Sequence, residues 1–120
     1  MRKIRTKASS DSKLVEKCEK ETGKSCSYPS WRDYDDLETA VPANNTAAIL
    51  VKVRKTSGVV YIHVDGTDEY KDRVGLDYKG YTVIVPWKPG LKFICYGSCR
   101  IGLVEEGEEP EEPEETEQAG

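Results

Sequence analysis

The sequence predicts a small all-β protein, an antiparallel β-sandwich or small barrel with a short N-terminal helix and an acidic C-terminal tail. Three observations carry that reading. Turn signals recur about every ten residues between Thr56 and Ser98. Several of the segments between them alternate with period two, as half-buried strands do. The longest apolar run, Ala47-Ala48-Ile49-Leu50-Val51 followed by Lys52-Val53-Arg54, reads as a central strand.

In chain order, Met1 to about Asp11 is basic and without periodicity. Lys13 to Thr22 has good helix formers, Asp11 or Ser12 as a cap and Gly23 as a stop. Leu14, Val15 and Cys18 are its only apolar stripe, so the helix needs a surface to dock on. Trp31 to Leu37, flanked by Pro29 and Pro42, reads as an irregular or edge strand. Ala43-Asn44-Asn45 then turns into the central strand; Asn44-Asn45-Thr46 matches a glycosylation sequon but reads as that turn. The strands expected after it are Ala47–Lys55, Val59–Val64, Tyr81–Trp87, Leu91–Tyr96 and Arg100–Val104. Val60, Ile62 and Val64 should face one way and Val59, Tyr61 and His63 the other. Leu91, Phe93 and Cys95 should likewise oppose Lys92, Ile94 and Tyr96.

Charge divides the chain into three: residues 1–24 as a basic arm with the helix, 25–104 as the β domain, and 105–120 as an acidic tail. These carry +4, +1 and −9, which together make the net charge of −4. The tail has nine Glu and no base, so self-repulsion predicts an extended, disordered, solubilising segment. No apolar stretch follows Met1-Arg2-Lys3-Ile4-Arg5-Thr6-Lys7, and no run has membrane-spanning length, which predicts a protein made in a cytoplasm with no membrane partner. Two Asn, one Gln and one Met beside 33% charged residues lean toward a thermophilic composition.

Four cysteines are the most specific feature. Cys95 and Cys99 flank Tyr96-Gly97-Ser98, the length of a bulged hairpin loop, and Cys18 and Cys26 lie eight apart. Two disulfides, either local or tying the helical segment to the last hairpin, a Cys18, Cys26, Cys95, Cys99 zinc site, and four reduced thiols are all open readings. The spacings lack the tight knuckle usual for zinc, and every reading is structural. No nucleophile with its base, phosphate loop or paired carboxylates is legible, so neither an enzyme nor a cofactor is expected. His63, the only histidine, reads as a surface side chain. Asp33, Asp35 and Asp36, like Asp65, Asp68 and Glu69, lack calcium-loop spacing. Arg2, Lys3, Arg5 and Lys7 are the candidate partner-binding residues. They could neutralise nucleic acid, but the acidic tail would compete for them and the β domain is nearly neutral, so a protein partner with an acidic surface suits them at least as well.

Trp31-Arg32-Asp33-Tyr34-Asp35-Asp36-Leu37, then Val41-Pro42-Ala43-Asn44 and the Ala47–Val53 strand, resemble the small jelly-roll-type β-sandwich modules of phage and viral virion proteins. The resemblance spans residues 29–105; the cysteines and the acidic tail depart from it. It implies a non-enzymatic virion protein, most concretely a capsid decoration or minor capsid protein, bound to a major capsid protein through the arm and a sandwich face or edge, and homo-oligomeric. Two alternatives stand beside it. One is a fibre-type module recognising a glycan or host surface through Tyr61, Tyr70, Tyr78, Tyr81 or Trp87. The other is a small intracellular barrel binding nucleic acid through its basic arm, or a zinc-stapled adaptor.

Overall fold

The computed structural model describes residues 3–8, 10–54 and 58–107. Strand β1 (Ile4–Thr6) precedes helix α1 (Asp11–Thr22), followed by β2 (Ser30–Tyr34), β3 (Thr39–Ala40) and β4 (Thr46–Lys52). Then come β5 (Val59–Val64), β6 (Tyr70–Val74), a 3-10 turn at Leu76–Tyr78, β7 (Thr82–Pro86), β8 (Leu91–Tyr96) and β9 (Cys99–Glu105). The strands form two antiparallel sheets, ordered β1-β7-β4-β9-β2 and β3-β8-β5-β6. Without β1, this is the strand order of an eight-stranded jelly roll. Among β2 to β9 only the β5–β6 hairpin joins strands of one sheet; every other connection crosses the sandwich.

β4 explains its own continuous apolar run. Ile49 and Val51 point between the sheets, into a core that includes Val60, Ile62, Val83, Val85, Trp87, Phe93 and Ile101. Ala48 and Leu50 point the other way, where they meet Leu14, Val15 and Cys18 of α1 together with Ile84 and Val104. A strand covered on both faces has no polar side to alternate with. The molecule is therefore three-layered: helix, five-stranded sheet, four-stranded sheet.

The helix exists because of that docking, since twelve residues of this composition would not hold a helix alone. Ser10 is its N-cap residue, and Gly23 closes it at φ 71, donating its N–H to Glu19 O at 2.9 Å. In the sandwich interior Phe93 is fully buried, with Tyr34 and Trp87 edge-on at 5.2 and 6.2 Å. Burying a ring of that size contributes about 2–3 kcal/mol.

The expected hairpin at Cys95–Cys99 is corrected by the topology. β8 pairs with β3 and β5, β9 pairs with β2 and β4, and the Gly97-Ser98 link carries the chain from one sheet to the other. Two glycines permit the crossing. Gly97 takes φ 95, and Gly58, which donates to Ser98 O at 2.7 Å, packs so closely that a Cβ on it would stand 2.0 Å from Tyr96 O.

Candidate functional site

The outer faces of the two sheets differ in kind. The five-stranded sheet is covered by α1. The four-stranded sheet has no such cover among the described residues, and its outward positions carry aromatic rings where an antiparallel sheet facing water normally carries polar side chains. β5 supplies Val59, Tyr61 and His63, β8 supplies Ile94 and Tyr96, and β6 supplies Tyr70. Register places Val59 opposite Tyr96, Tyr61 opposite Ile94, and His63 opposite Lys92 on one side and Tyr70 on the other. An irregularity between Ile62 and His63 skips Lys71, which brings Tyr70 level with His63.

Tyr61 is the hub. Its ring centre lies 5.1 Å from Tyr96 (edge-on), 6.1 Å from Tyr70 and 6.4 Å from the stacked ring of His63. With Val59 these rings line an open concavity of about 560 Å³. Tyr70 and Tyr96 are 53% and 42% exposed, a cost that a solvated sheet face does not ordinarily carry. His63 Nδ1 lies 3.3 Å from Asp68 O, and its Nε2 is buried with no hydrogen-bond partner among the described residues. The site offers flat π faces, edge C–H groups and phenolic hydroxyls, the chemistry of adhesion and stacking.

The basic arm lies elsewhere. Arg2 lies outside the described residues. Lys3, Arg5 and Lys7 flank or belong to β1, which pairs with the edge of β7 through Ile4↔Ile84 and Thr6↔Thr82. Their charges lie over tyrosines: Lys3 is 4.7 Å from the Tyr78 ring centre, Lys7 is 5.0 Å from Tyr81, and Arg5 sits 5.7 and 5.8 Å from the two. Lys3 also donates to Arg73 O and pairs with Asp72 at 3.2 Å. Burial works against its charge, but Tyr78 and Asp72 outweigh that and hold its pKa above the usual lysine value. Ile4–Thr6 of the arm is thus a sheet edge rather than a free extension. Of the tyrosines and tryptophan considered for recognition, Tyr78 and Tyr81 carry these cations and Trp87 is core, which leaves Tyr61 and Tyr70 on the open face.

The disulfide expectation is corrected: Cys18, Cys26, Cys95 and Cys99 are all free thiols. Cys26 Sγ donates to Lys24 O at 3.3 Å and Cys95 Sγ to Tyr34 O at 3.6 Å, Thr22 Oγ1 lies 3.7 Å from Cys26 Sγ, and the Cys95 and Cys99 side chains hydrogen-bond each other. The four-cysteine zinc alternative is corrected with it. Cys18 and Cys26 lie under α1, Cys95 and Cys99 lie between the sheets, and β4 and β9 separate the two pairs. Burial pushes the Cys18 and Cys95 thiols up to about 12, helped at Cys18 by Cys26 and at Cys95 by Cys99. Burial likewise raises Cys26 and Cys99.

The acidic turns hold structure. Asp33 pairs with Arg100 at 3.0 Å, Asp36 accepts from Gly97 N–H at 2.8 Å, and Glu38 bonds Asp35 N–H and Arg32. Asp65 N–H donates to Gly90 O. No three His, Cys, Asp or Glu side chains among the described residues are grouped to hold a metal ion. No described helix is long and apolar enough to cross a membrane. Sequence reasoning named Tyr61 and Tyr70 but left Tyr96 out of the recognition set; its place in the Lys92-Ile94-Tyr96 alternation was the available signal.

Comparison of the chain with protein families, with characterised proteins and with solved structures returns no significant match.

Proposed function

We propose that this is a non-enzymatic structural protein that seats the tyrosine face of its four-stranded sheet on a larger assembly, most concretely as a decoration or minor capsid protein of a virion. The observation that carries the reading is the asymmetry of the sandwich: one sheet is sealed by α1, while the other presents Tyr61, Tyr70 and Tyr96 to solvent. Aromatic side chains of this kind are the residues enriched at protein interfaces. The strand order supports the setting, because jelly rolls recur in viral capsid and lectin domains. That support is an analogy of fold, and the site carries the argument.

Co-sedimentation with assembled virion shells tests the proposal. Deleting residues 1–24 would strip β1 and α1 from the core, so the informative variants are Tyr70→Ser and Tyr96→Ser in the full chain. Loss of shell binding with unchanged folding is expected; binding that survives both substitutions would sink the tyrosine face as the docking surface.

A second reading is favoured by the concavity itself. A cleft of about 560 Å³ lined by three tyrosines and a histidine has the stacking surfaces that bind the C–H face of a pyranose. A glycan array without signal above background removes it.

A further inference from the structure

The lysines of α1 fall on one side of the helix. Lys13, Lys17 and Lys20 are spaced four and three residues apart, which aligns them on one face. Leu14, Val15 and Cys18 are buried on the other side. Lys24 follows just past the Gly23 cap, and all four lysines are exposed. Lys17 and Lys20 converge with Arg5 of β1 on a polar concavity of about 280 Å³, completed by Ile4, Thr6 and Glu21. Lys13, Lys17 and Lys20 form no ion pair among the described residues.

Lys24 does form one, and its partner matters. Its Nζ lies 2.8 Å from the carboxylate of Glu106. At that point Glu106 bridges Cys26 and Gly107 donates its N–H to Ser25 O at 2.7 Å. Residue 107 is therefore held beside the C-terminal end of α1, where the lysine face begins. The sequence continues Glu108-Glu109-Pro110-Glu111-Glu112-Pro113-Glu114-Glu115, six carboxylates without a base.

We propose that the lysine face of α1, with Arg5, is a polyanion-binding surface whose occupant is the acidic C-terminal segment of the same chain. Reach permits it. Eight residues of extended backbone span ~25 Å, against ~16 Å of helix axis from Lys24 back to Lys13. Charge complementarity favours it, since the segment repels itself and faces Lys13, Lys17 and Lys20, which form no ion pair among the described residues. The covalent link supplies an effective concentration in the millimolar range, enough for individually weak exposed pairs to act together. Any nucleic acid or acidic protein must displace this segment to use the same face. The lysine face is on the helix side of the molecule and the tyrosine face on the other, so this inference stands apart from the proposed function.

Carbodiimide coupling of the full-length protein at low salt, with peptide mapping, tests the contact. Amide links within one chain from Lys13, Lys17 or Lys20 to residues 108–115 are expected. They should fall severalfold at about 0.5 M salt, where the screening length drops to about 4 Å. Links spread evenly over Lys71, Lys79 and Lys88, or formed only between chains, would overturn the proposal. A second measurement is heparin chromatography of a full-length variant with Glu108, Glu109, Glu111, Glu112, Glu114 and Glu115 changed to Gln. Later elution than wild type, reversed by adding Lys17→Gln and Lys20→Gln, is expected. Retention that ignores the lysine changes would mean that heparin reads another surface, and would also overturn it.

Discussion

The indole Nε1 of Trp31 donates to both oxygens of the Asp11 carboxylate, at 3.2 and 3.3 Å, and so ties the edge strand β2 to the first turn of α1. The ring lies flat against Gly102, where a Cβ would come within 3.0 Å of Trp31 carbons, and Lys52 Nζ covers it at 4.5 Å. Asp11 serves the helix twice, as Trp31's acceptor and as the one acidic residue of the first turn. Asp11→Ala should cost about 1–2 kcal/mol, seen as a fall of about 4–8 °C in Tm. Asp11→Asn should recover part of that, because its carbonyl oxygen still accepts from the indole. Equal loss in both variants would show that charge, and not the hydrogen bond, makes the tie.

Two glycines of positive or crowded geometry should respond very differently to alanine. A Cβ at Gly58 would overlap Tyr96 O at 2.0 Å and press Ser98 N at 2.8 Å, all backbone that cannot yield without moving the sheet crossing. Gly90 sits at φ 94 with nothing within 4 Å of its missing Cβ. Gly58→Ala should therefore cost about 3 kcal/mol or more, whereas Gly90→Ala should cost about 1 kcal/mol, from backbone strain alone. Urea unfolding of the two variants checks the order, and a reversal would contradict the packing of the crossing.

The thiols set a limit on alkaline stability. In the folded protein Cys18 and Cys95 titrate near 12, above their value in an open chain, because burial disfavours the thiolate. Above about pH 9 the unfolded chain releases these protons and the folded one keeps them. Their contribution is therefore complete below that pH and is lost as pH rises toward 12, with a slope of about 1.4 kcal/mol per pH unit for each thiol. Native protein at pH 8 should leave all four thiols unreactive toward a disulfide reagent, and denatured protein should expose four. Fast labelling of two thiols in the native state would show that one pair opens locally.

The strands that sequence reasoning placed well are those with one or both faces in a core. Val59–Val64 and Leu91–Tyr96 carry the alternation that burial requires, and their observed bounds match. The elements it missed draw their support from distant residues. β6 buries only Val74 and is held by pairing with β5, β3 is two residues fixed against β8, and β1 is three residues in a run of charge. The Cys95–Cys99 spacing looked like a hairpin because loop length is local, while the sheet to which each strand belongs is not. The same limit applies to the site. Tyr61 and Tyr70 lie either side of one turn, whereas alternation along β8 gives Tyr96 its face but only the β5–β8 register brings it against Tyr61.

That register makes a final prediction about what the tyrosines are for. Tyr70 and Tyr96 lie on the outer face, 53% and 42% exposed, and their rings touch Tyr61 rather than the interior. If their role were packing, Tyr96→Ser should cost as much as a core truncation, about 3 kcal/mol or more. Their exposure argues for a smaller effect, about 1 kcal/mol from one lost aromatic pair. Tyr61, central to three ring contacts and half-buried, should cost more than either. The expected pattern is therefore Tyr61→Ser above Tyr96→Ser and Tyr70→Ser in thermal denaturation, with all three equal in weakening attachment to a partner. A chain that keeps its fold while it loses its partner locates the tyrosines in recognition, whereas one that unfolds on losing Tyr96 returns them to the sandwich.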